Sequence, residues 1–381
     1  MPCIRMRFDP SRVCRLALLW CALACAYPAH AGKLYLGADL SYVNEMEACG
    51  AVFREGGVAK DPFALFKEHG ANLVRVRIWH DARWTRYSDL ADVKKTIRRA
   101  KAAGMEVLLD FHYSDDWADG DKQIIPDDWA DIGDVGDLAQ VLYNYTYDTL
   151  GTLDRAGLMP ELVQVGNETN GEILRTKDWG KKPIDWKRNA RLFNAGIKAV
   201  RAAGAESSIK PRVMLHIAQP ENAGPWFEAA TKAGLTDYDL IGLSYYRKWS
   251  SEAMPSLGAT IKRLRATYPA EVVLVETAYP WTLESTDTMG NLLGQDSLIE
   301  AYPATPQGQL KYLVDLTQLV IDNGGSGTVY WEPAWVSTSC KTRWGTGSSW
   351  ENATFFDFKN GNELLPGIDF MRHEYTQPGA R

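Results

Sequence analysis

The sequence of 381 residues predicts an α/β fold, a single (β/α)8 barrel of the TIM type with long βα loops, over residues 32–381. Three observations point to it. Eight short apolar runs alternate with eight longer amphipathic stretches, the pattern of parallel strands joined by helices. Gly70, Gly104, Gly157, Gly204 and Gly234 stand just before apolar runs, and glycine accepts the left-handed turn that stops a helix. Each apolar run also closes on polar or aromatic residues, as barrel strands do where they reach an active face. An open doubly wound sheet would carry a Gly-rich phosphate turn after its first strand, and Gly37-Ala38-Asp39 offers none.

In chain order the strands are expected at 34–41, 73–80, 106–113, 162–168, 212–218, 239–246, 271–278 and 327–335. Helices are expected at 61–69, 92–103, 135–156, 186–203, 223–233, 252–267 and 305–323, with a last short one at 366–372. The strands end, in turn, on Asp39 and Ser41; on Arg75, Arg77 and Trp79; on Asp110 and His112; and on Asn167-Glu168. His216, Tyr245-Tyr246, Glu276 and Trp331-Glu332 close the other four. No linker, low-complexity tract or second domain interrupts the alternation.

Residues 1–31 read as a signal peptide. Arg5, Arg7, Arg12 and Arg15 form a basic start, Leu16 to Ala26 is an apolar run too short to span a bilayer, and Ala29-His30-Ala31 has the small-x-small form of a cleavage site. The expected location is secreted or periplasmic. Loss of that segment takes the formal net charge from −6 to −9, which argues against nucleic acid as a partner. No other apolar stretch is long enough to cross a membrane, and a monomer is expected.

Of the six cysteines, Cys3, Cys14, Cys21 and Cys25 leave with the signal, so Cys49 and Cys340 remain for an oxidising compartment. They lie in the loops after strands one and eight, which barrel closure makes neighbours, and a disulfide between them is expected. Aromatic residues are abundant, with 14 Trp in the chain. Trp117, Trp129, Trp179, Trp281, Trp335, Trp344 and Trp350 sit in polar loops, where a flat apolar face suits the C–H face of a sugar.

Two carboxylates carry the chemistry. Glu168 follows the apolar strand Val163-Gln164-Val165 and Glu276 follows Val272-Val273-Leu274-Val275, so both are delivered to the barrel mouth from strands that face each other across it. Glycosidic cleavage needs such a pair, one to protonate the departing oxygen and one to meet the developing cation. Asn167-Glu168 with Glu276 looks like the clan of retaining barrel glycosidases. Within it the chain resembles glycoside hydrolase family 53, the arabinogalactan endo-β-1,4-galactanases. The resemblance runs in order through Gly37-Ala38-Asp39-Leu40-Ser41, Arg75-Val76-Arg77-Ile78-Trp79 and the segment from Asp110 to Asp119. It continues through Gln164 to Glu168, Ser244-Tyr245-Tyr246, Val275 to Tyr279 and Tyr330 to Trp335.

The resemblance implies Glu168 as general acid/base and Glu276 as nucleophile of an endo-acting hydrolase of β-1,4-galactan, working with retention. It further implies that Asn167 holds the sugar 2-hydroxyl and that Tyr245 or Tyr246 holds Glu276. Arg77 and His112 would line the cleaved-sugar subsite, with Arg77 keeping Glu276 ionised and Glu168 having the higher pKa. Trp331 would be the platform under that sugar, and Trp117, Asp119, Trp281 and Trp335 would serve neighbouring subsites. No cofactor or catalytic metal is implied. Calcium is the one ion to weigh, since relatives carry an acidic loop after strand seven. Here that loop keeps only Asp287 and Asn291 as good ligands, with Glu284 and backbone carbonyls beside them. A mannanase or cellulase of the same clan, or a non-catalytic glycan-binding barrel, are the alternative readings.

Overall fold

The computed structural model describes residues 33–177 and 182–377. The expected signal peptide and Trp179 lie outside the described residues. Eight parallel strands close into a barrel: β1 (Tyr35–Asp39), β2 (Leu73–Ile78), β3 (Glu106–Phe111), β4 (Leu162–Val165), β5 (Arg212–Ala218), β6 (Leu240–Ser244), β7 (Glu271–Glu276) and β8 (Gly327–Tyr330). Each pairs with its sequence neighbour, and β8 returns to β1 through Tyr35↔Gly327 to Ala38↔Tyr330.

Alternate residues of a strand share one face, and here that rule builds the site. Tyr35, Leu73, Leu108, Leu162, Met214, Leu240, Val273, Val275 and Val329 form one apolar cluster. Steps of two along the same strands reach Asp39, Arg75, Arg77, Asp110, Gln164, His216 and Ser244, all buried. The barrel interior is thus apolar at one end and polar at the C-terminal end of its strands.

The helices are α1 (Val43–Ala48), α2 (Pro62–Glu68), α3 (Leu90–Ala102), α4 (Val135–Arg155), α5 (Trp186–Glu206), α6 (Pro220–Lys232), α7 (Met254–Thr267) and α8 (Pro306–Asp322). Asp61, Asp89, Asp134, Asp185 and Thr305 cap α2, α3, α4, α5 and α8 by accepting backbone N–H groups, each worth about 1 kcal/mol. The faces of α3 and α4 that carry Val93, Ile97, Leu138 and Leu142 pack on the strands in the outer core.

Three expectations are corrected. Gly204 does not end its helix: α5 continues to Glu206, and a Cβ at Gly204 would lie 2.9 Å from Pro211 Cδ, so the glycine serves a close return to β5. Residues 366–372 form a 3₁₀ segment, being too short to gain from α-helical propagation. The last strand stops at Tyr330, because Glu332 turns to φ 46° and Pro333 has no N–H for a ladder.

The loops after β1 and β8 are joined twice. Cys49 and Cys340 form the expected disulfide, with Cα atoms 5.6 Å apart. A small four-stranded sheet of Arg54–Glu55, Val58–Ala59, Phe356–Asp357 and Glu363–Leu364 links the same regions. Strands of two residues have no period to read, so the sequence pattern passes over them. Among the described residues, no helix is long and apolar enough to cross a membrane.

Candidate active site

Arg75 is the hub of the polar layer. Its guanidinium meets Asp39 Oδ2 at 3.0 Å, Asp110 Oδ2 at 2.7 Å and Glu276 Oε1 at 2.7 Å, and donates to Asn167 Oδ1 at 2.6 Å. The side chain is only 1% exposed, so burial works against the cation, yet the three carboxylates hold its pKa above the ordinary arginine value. Burial works against the charge on Asp110 as well, but Arg75 and His112 outweigh it and keep that carboxyl below the usual range. Removing one member of such a cluster leaves uncompensated buried charge, at a cost of about 3–5 kcal/mol.

Glu276 reaches this hub because β7 breaks its own period. Leu243 pairs with Leu274 but Ser244 pairs with Glu276, so Val275 is an extra residue. The bulge lets Glu276 turn inward directly after the inward-facing Val275. Tyr246 Oη donates to Glu276 Oε2 at 3.0 Å. Glu168 arrives by a different device, a turn through Gly166 at φ 85° to Glu168 itself at φ 44°. A positive φ on a glutamate is a strained choice, and it directs the side chain back over the barrel. Its Oε1 lies 2.6 Å from Ser244 Oγ, and its N–H points to His216 Nδ1 at 3.3 Å.

A carboxyl oxygen of Glu168, one of Glu276 and a ring nitrogen of His216 lie within 4.8 Å of one another. Burial raises both carboxyls, Glu168 to about 7 with Asp119 adding to it, and Glu276 to about 8 with Glu168 and Asp110 adding to it. The expectation that Glu168 has the higher pKa of the two is therefore corrected: Glu276 lies as deep, and Glu168, Asp110 and Asp39 crowd it with like charge. Arg75 and Tyr246 both aim hydrogens at Glu276 and favour the anion there. Burial, with Arg75 adding to it, holds His216 well below the ordinary histidine value, so its ring is neutral.

Aromatic rings line the approach. Trp117 lies 5.9 Å from Trp331, ring centre to ring centre, and both are half-buried. Trp350 packs at 4.5 Å on the edge of Trp331 and Trp335 at 6.0 Å. A pair of close carboxyls at the mouth of a barrel, flanked by tryptophan faces, is equipped to act on a sugar chain.

The sequence profile of Glycosyl hydrolase family 53 matches residues 35–371. The chain belongs to that family. It is 55% identical over 360 residues to an arabinogalactan endo-beta-1,4-galactanase of Cellvibrio japonicus, covering 94% of this chain and 96% of that one. An endo-beta-1,4-galactanase of Bacillus subtilis is 37% identical, covering 83% of this chain and 76% of its own length. Among solved structures, the GH53 catalytic domain of Ignisphaera aggregans superposes with a TM-score of 0.81 at 29% identity, over 90% of this chain and 97% of that one.

Within this family 53 barrel the sequence-predicted residues do not all converge. Arg77 does not touch Glu276. It pairs with Glu332 at 3.2 Å and lies over the Trp117 ring at 4.2 Å, while Arg75, one inward step lower on β2, takes the place expected for it. Tyr245 is also corrected: its hydroxyl donates to Glu252 O at 3.2 Å, on the outer side of the strand. His112 is buried, with Nε2 3.0 Å from Asp110 and Nδ1 accepting from Ala118 N. Asn167 lies in the hub, its Nδ2 donating to Ala118 O.

Asp119 structures its own loop by accepting from the N–H groups of Asp121 and Lys122. Trp335 stacks on Tyr42 at 4.1 Å and Trp281 packs on Phe358 at 4.9 Å. Each is 5% exposed, so both are wall residues rather than open platforms. The reading of strand ends assigned no role to Arg75 or His216 and passed over Ser244. Their signal was position alone, since each lies an even number of residues along its strand from an inward apolar residue.

The calcium-loop residues do not converge either. Asp287 Oδ2 accepts from Ser337 Oγ and Ser348 N, its Oδ1 accepts from Met289 N, and Glu284 pairs with Lys359. Hydrogen bonds from the loop after β8 occupy the carboxylate that an ion would need.

Proposed function

We propose that this family 53 chain hydrolyses β-1,4-linked galactan internally and with retention, with Glu168 as general acid/base and Glu276 as nucleophile. The observation that carries the reading is the spacing of the pair. Retaining enzymes hold their carboxyls roughly 5–5.5 Å apart and inverting ones about 6.5–9.5 Å, to admit water. Here the nearest oxygens lie within 4.8 Å.

Hydrogen-bond polarity supports the assignment of roles. Nδ1 of the neutral His216 ring accepts from the Glu168 N–H at 3.3 Å, so its hydrogen is on Nε2. Nε2 donates to Ser244 Oγ at 2.8 Å, and Ser244 in turn gives its hydrogen to Glu168 Oε1 at 2.6 Å. Glu168 accepts from one hydroxyl, whereas the Arg75 cation and the Tyr246 hydroxyl both face Glu276, so in the reactive form the proton is on Glu168 and the charge on Glu276.

In the first step Glu168 passes its proton to the glycosidic oxygen as the C1–O bond breaks and Glu276 bonds to C1. Glu168, now anionic, takes a proton from water, whose oxygen displaces Glu276 from C1. Asn167 would hold the 2-hydroxyl, and Trp331 the sugar face. We infer export as well: a disulfide between Cys49 and Cys340 suits an oxidising compartment, as does the basic and then apolar start of the chain. The test is a reducing-sugar and viscosity assay on purified galactan, mannan and cellulose. Galactan viscosity should fall before much galactose appears; comparable or faster cleavage of mannan or cellulose would overturn the substrate.

A further inference from the structure

A cavity lies apart from the carboxyl pair. It has a volume of about 570 Å³ and lies beside the Cys49–Cys340 disulfide, between the loops after β1, β2 and β8. Four cations line it, Arg83, Arg86, Lys341 and Arg343, against the single acid Glu45. Two of the four are neutralised: Arg83 by Asp81 and Asp128, and Arg343 by Asp116. The other two are not. Arg86 donates only to the Tyr87 hydroxyl at 3.1 Å, and neither it nor Lys341 meets a carboxylate among the described residues. On a chain of net charge −6 the pocket keeps a cationic excess, with Arg86 opposed only at a distance by Glu45.

The pocket is also continuous with the glycan approach. Trp84, one of its lining residues, lies 5.0 Å from Trp344, which lies 6.3 Å from Trp117, which in turn lies 5.9 Å from Trp331. Trp344 is 40% exposed. Aromatic faces therefore run from the carboxyl pair to the cations, and what binds the one is in line to reach the other.

We propose that this pocket binds a carboxylate-bearing sugar, a uronic acid unit carried on or beside the neutral glycan that the barrel cleaves. The Arg86 guanidinium offers paired N–H donors that match a carboxylate, Lys341 adds a point charge, and the exposed Trp344 ring accepts the sugar face, while Arg343 already lies over Trp84 at 5.4 Å. As a single ring, a galacto-configured uronate differs from galactose only at C6, so one unit suits a site that takes a galactose ring. The statement that the uronate belongs to the cleaved glycan rests on the proposed function; the binding itself does not.

The experiment is calorimetric titration of the full chain with trigalacturonate, beside the double variant Arg86→Ala/Lys341→Ala. The native chain should bind in low salt, and the double variant about 5- to 10-fold more weakly. Binding to the native chain should weaken similarly at high ionic strength. Inorganic sulfate at equal charge should compete weakly, because it lacks a ring for Trp344. Hydrolysis of neutral galactan should be the same in both proteins. Equal trigalacturonate binding by native chain and variant would overturn the proposal, as would complete displacement by sulfate. Failure to cleave neutral galactan would instead sink the substrate reading and leave the binding result standing.

Discussion

Tyr246→Phe separates the two tyrosines that sequence could not. The hydroxyl of Tyr246 donates to Glu276 Oε2 at 3.0 Å, whereas its ring packs edge-on near Trp249 and Trp350 and would stay in place as phenylalanine. Burial, reinforced by Glu276, holds the Tyr246 pKa well above its ordinary value, so it is a donor at every working pH. A hydrogen bond to a charged group is worth about 1.5–3 kcal/mol, which is about one to two pH units on the partner. The lost donor favours the neutral acid, so the Glu276 pKa rises. Glu276 must be anionic to attack, so activity should now fail at a higher pH as the solution is acidified. The acidic limb of kcat/KM on galactan should move up by about one to two units, with a loss of about 10- to 100-fold below it. Tyr245→Phe loses only a bond to Glu252 O and should leave the profile in place. An unmoved limb in Tyr246→Phe, or an equal shift in both variants, would refute the reasoning.

Ser244→Ala removes the hydroxyl that donates to Glu168 Oε1, so Glu168 should ionise less easily and the basic limb should move to higher pH; a shift downward would mean that the carboxyl donates to the hydroxyl instead. Glu168→Ala should keep activity on substrates with very good leaving groups and give a β-galactosyl azide with added azide, while Glu276→Ala should give the α-azide; exchanged anomers by NMR would reverse the roles. Cys340→Ser opens a loop of 291 residues and should cost roughly 5 kcal/mol in the chain-entropy treatment, read as a large fall in Tm. Two reactive thiols in the unfolded, unreduced native chain would remove its basis.

The barrel was legible because burial on both faces forces parallel strands into apolar runs, and helices between them repeat at a different period. The carboxyl pair was legible because a strand that ends in a charge can only end at the mouth. What period two cannot supply is height. Arg75 and Arg77 lie on one face of β2, two residues apart, and both point inward. Which one meets Glu276 depends on how β2 is staggered against β1 and β3, as in Asp39↔Arg75 and Leu108↔Arg75. Stagger is a property of barrel closure, set by all eight strands together. The tyrosine ambiguity has the same origin, since the phase of Tyr245-Tyr246 follows the irregular register between Leu243 and Ser244.

That irregularity explains why the local pattern fails where the chemistry sits. Strict alternation through Val273 and Val275 would turn Glu276 outward, and only the extra residue in β7 brings it to Arg75. Glu168 likewise depends on a left-handed backbone that a glutamate does not choose, and Tyr113 and Glu332 adopt it after β3 and β8. Each departure costs local stability, of order 1–3 kcal/mol for such a backbone. The close-packed barrel beneath can bear it, because its inner apolar cluster and outer helical core are fixed independently of the mouth. A sequence read by propensity therefore finds the scaffold first, and finds the site as the set of places where the scaffold's own rules are broken.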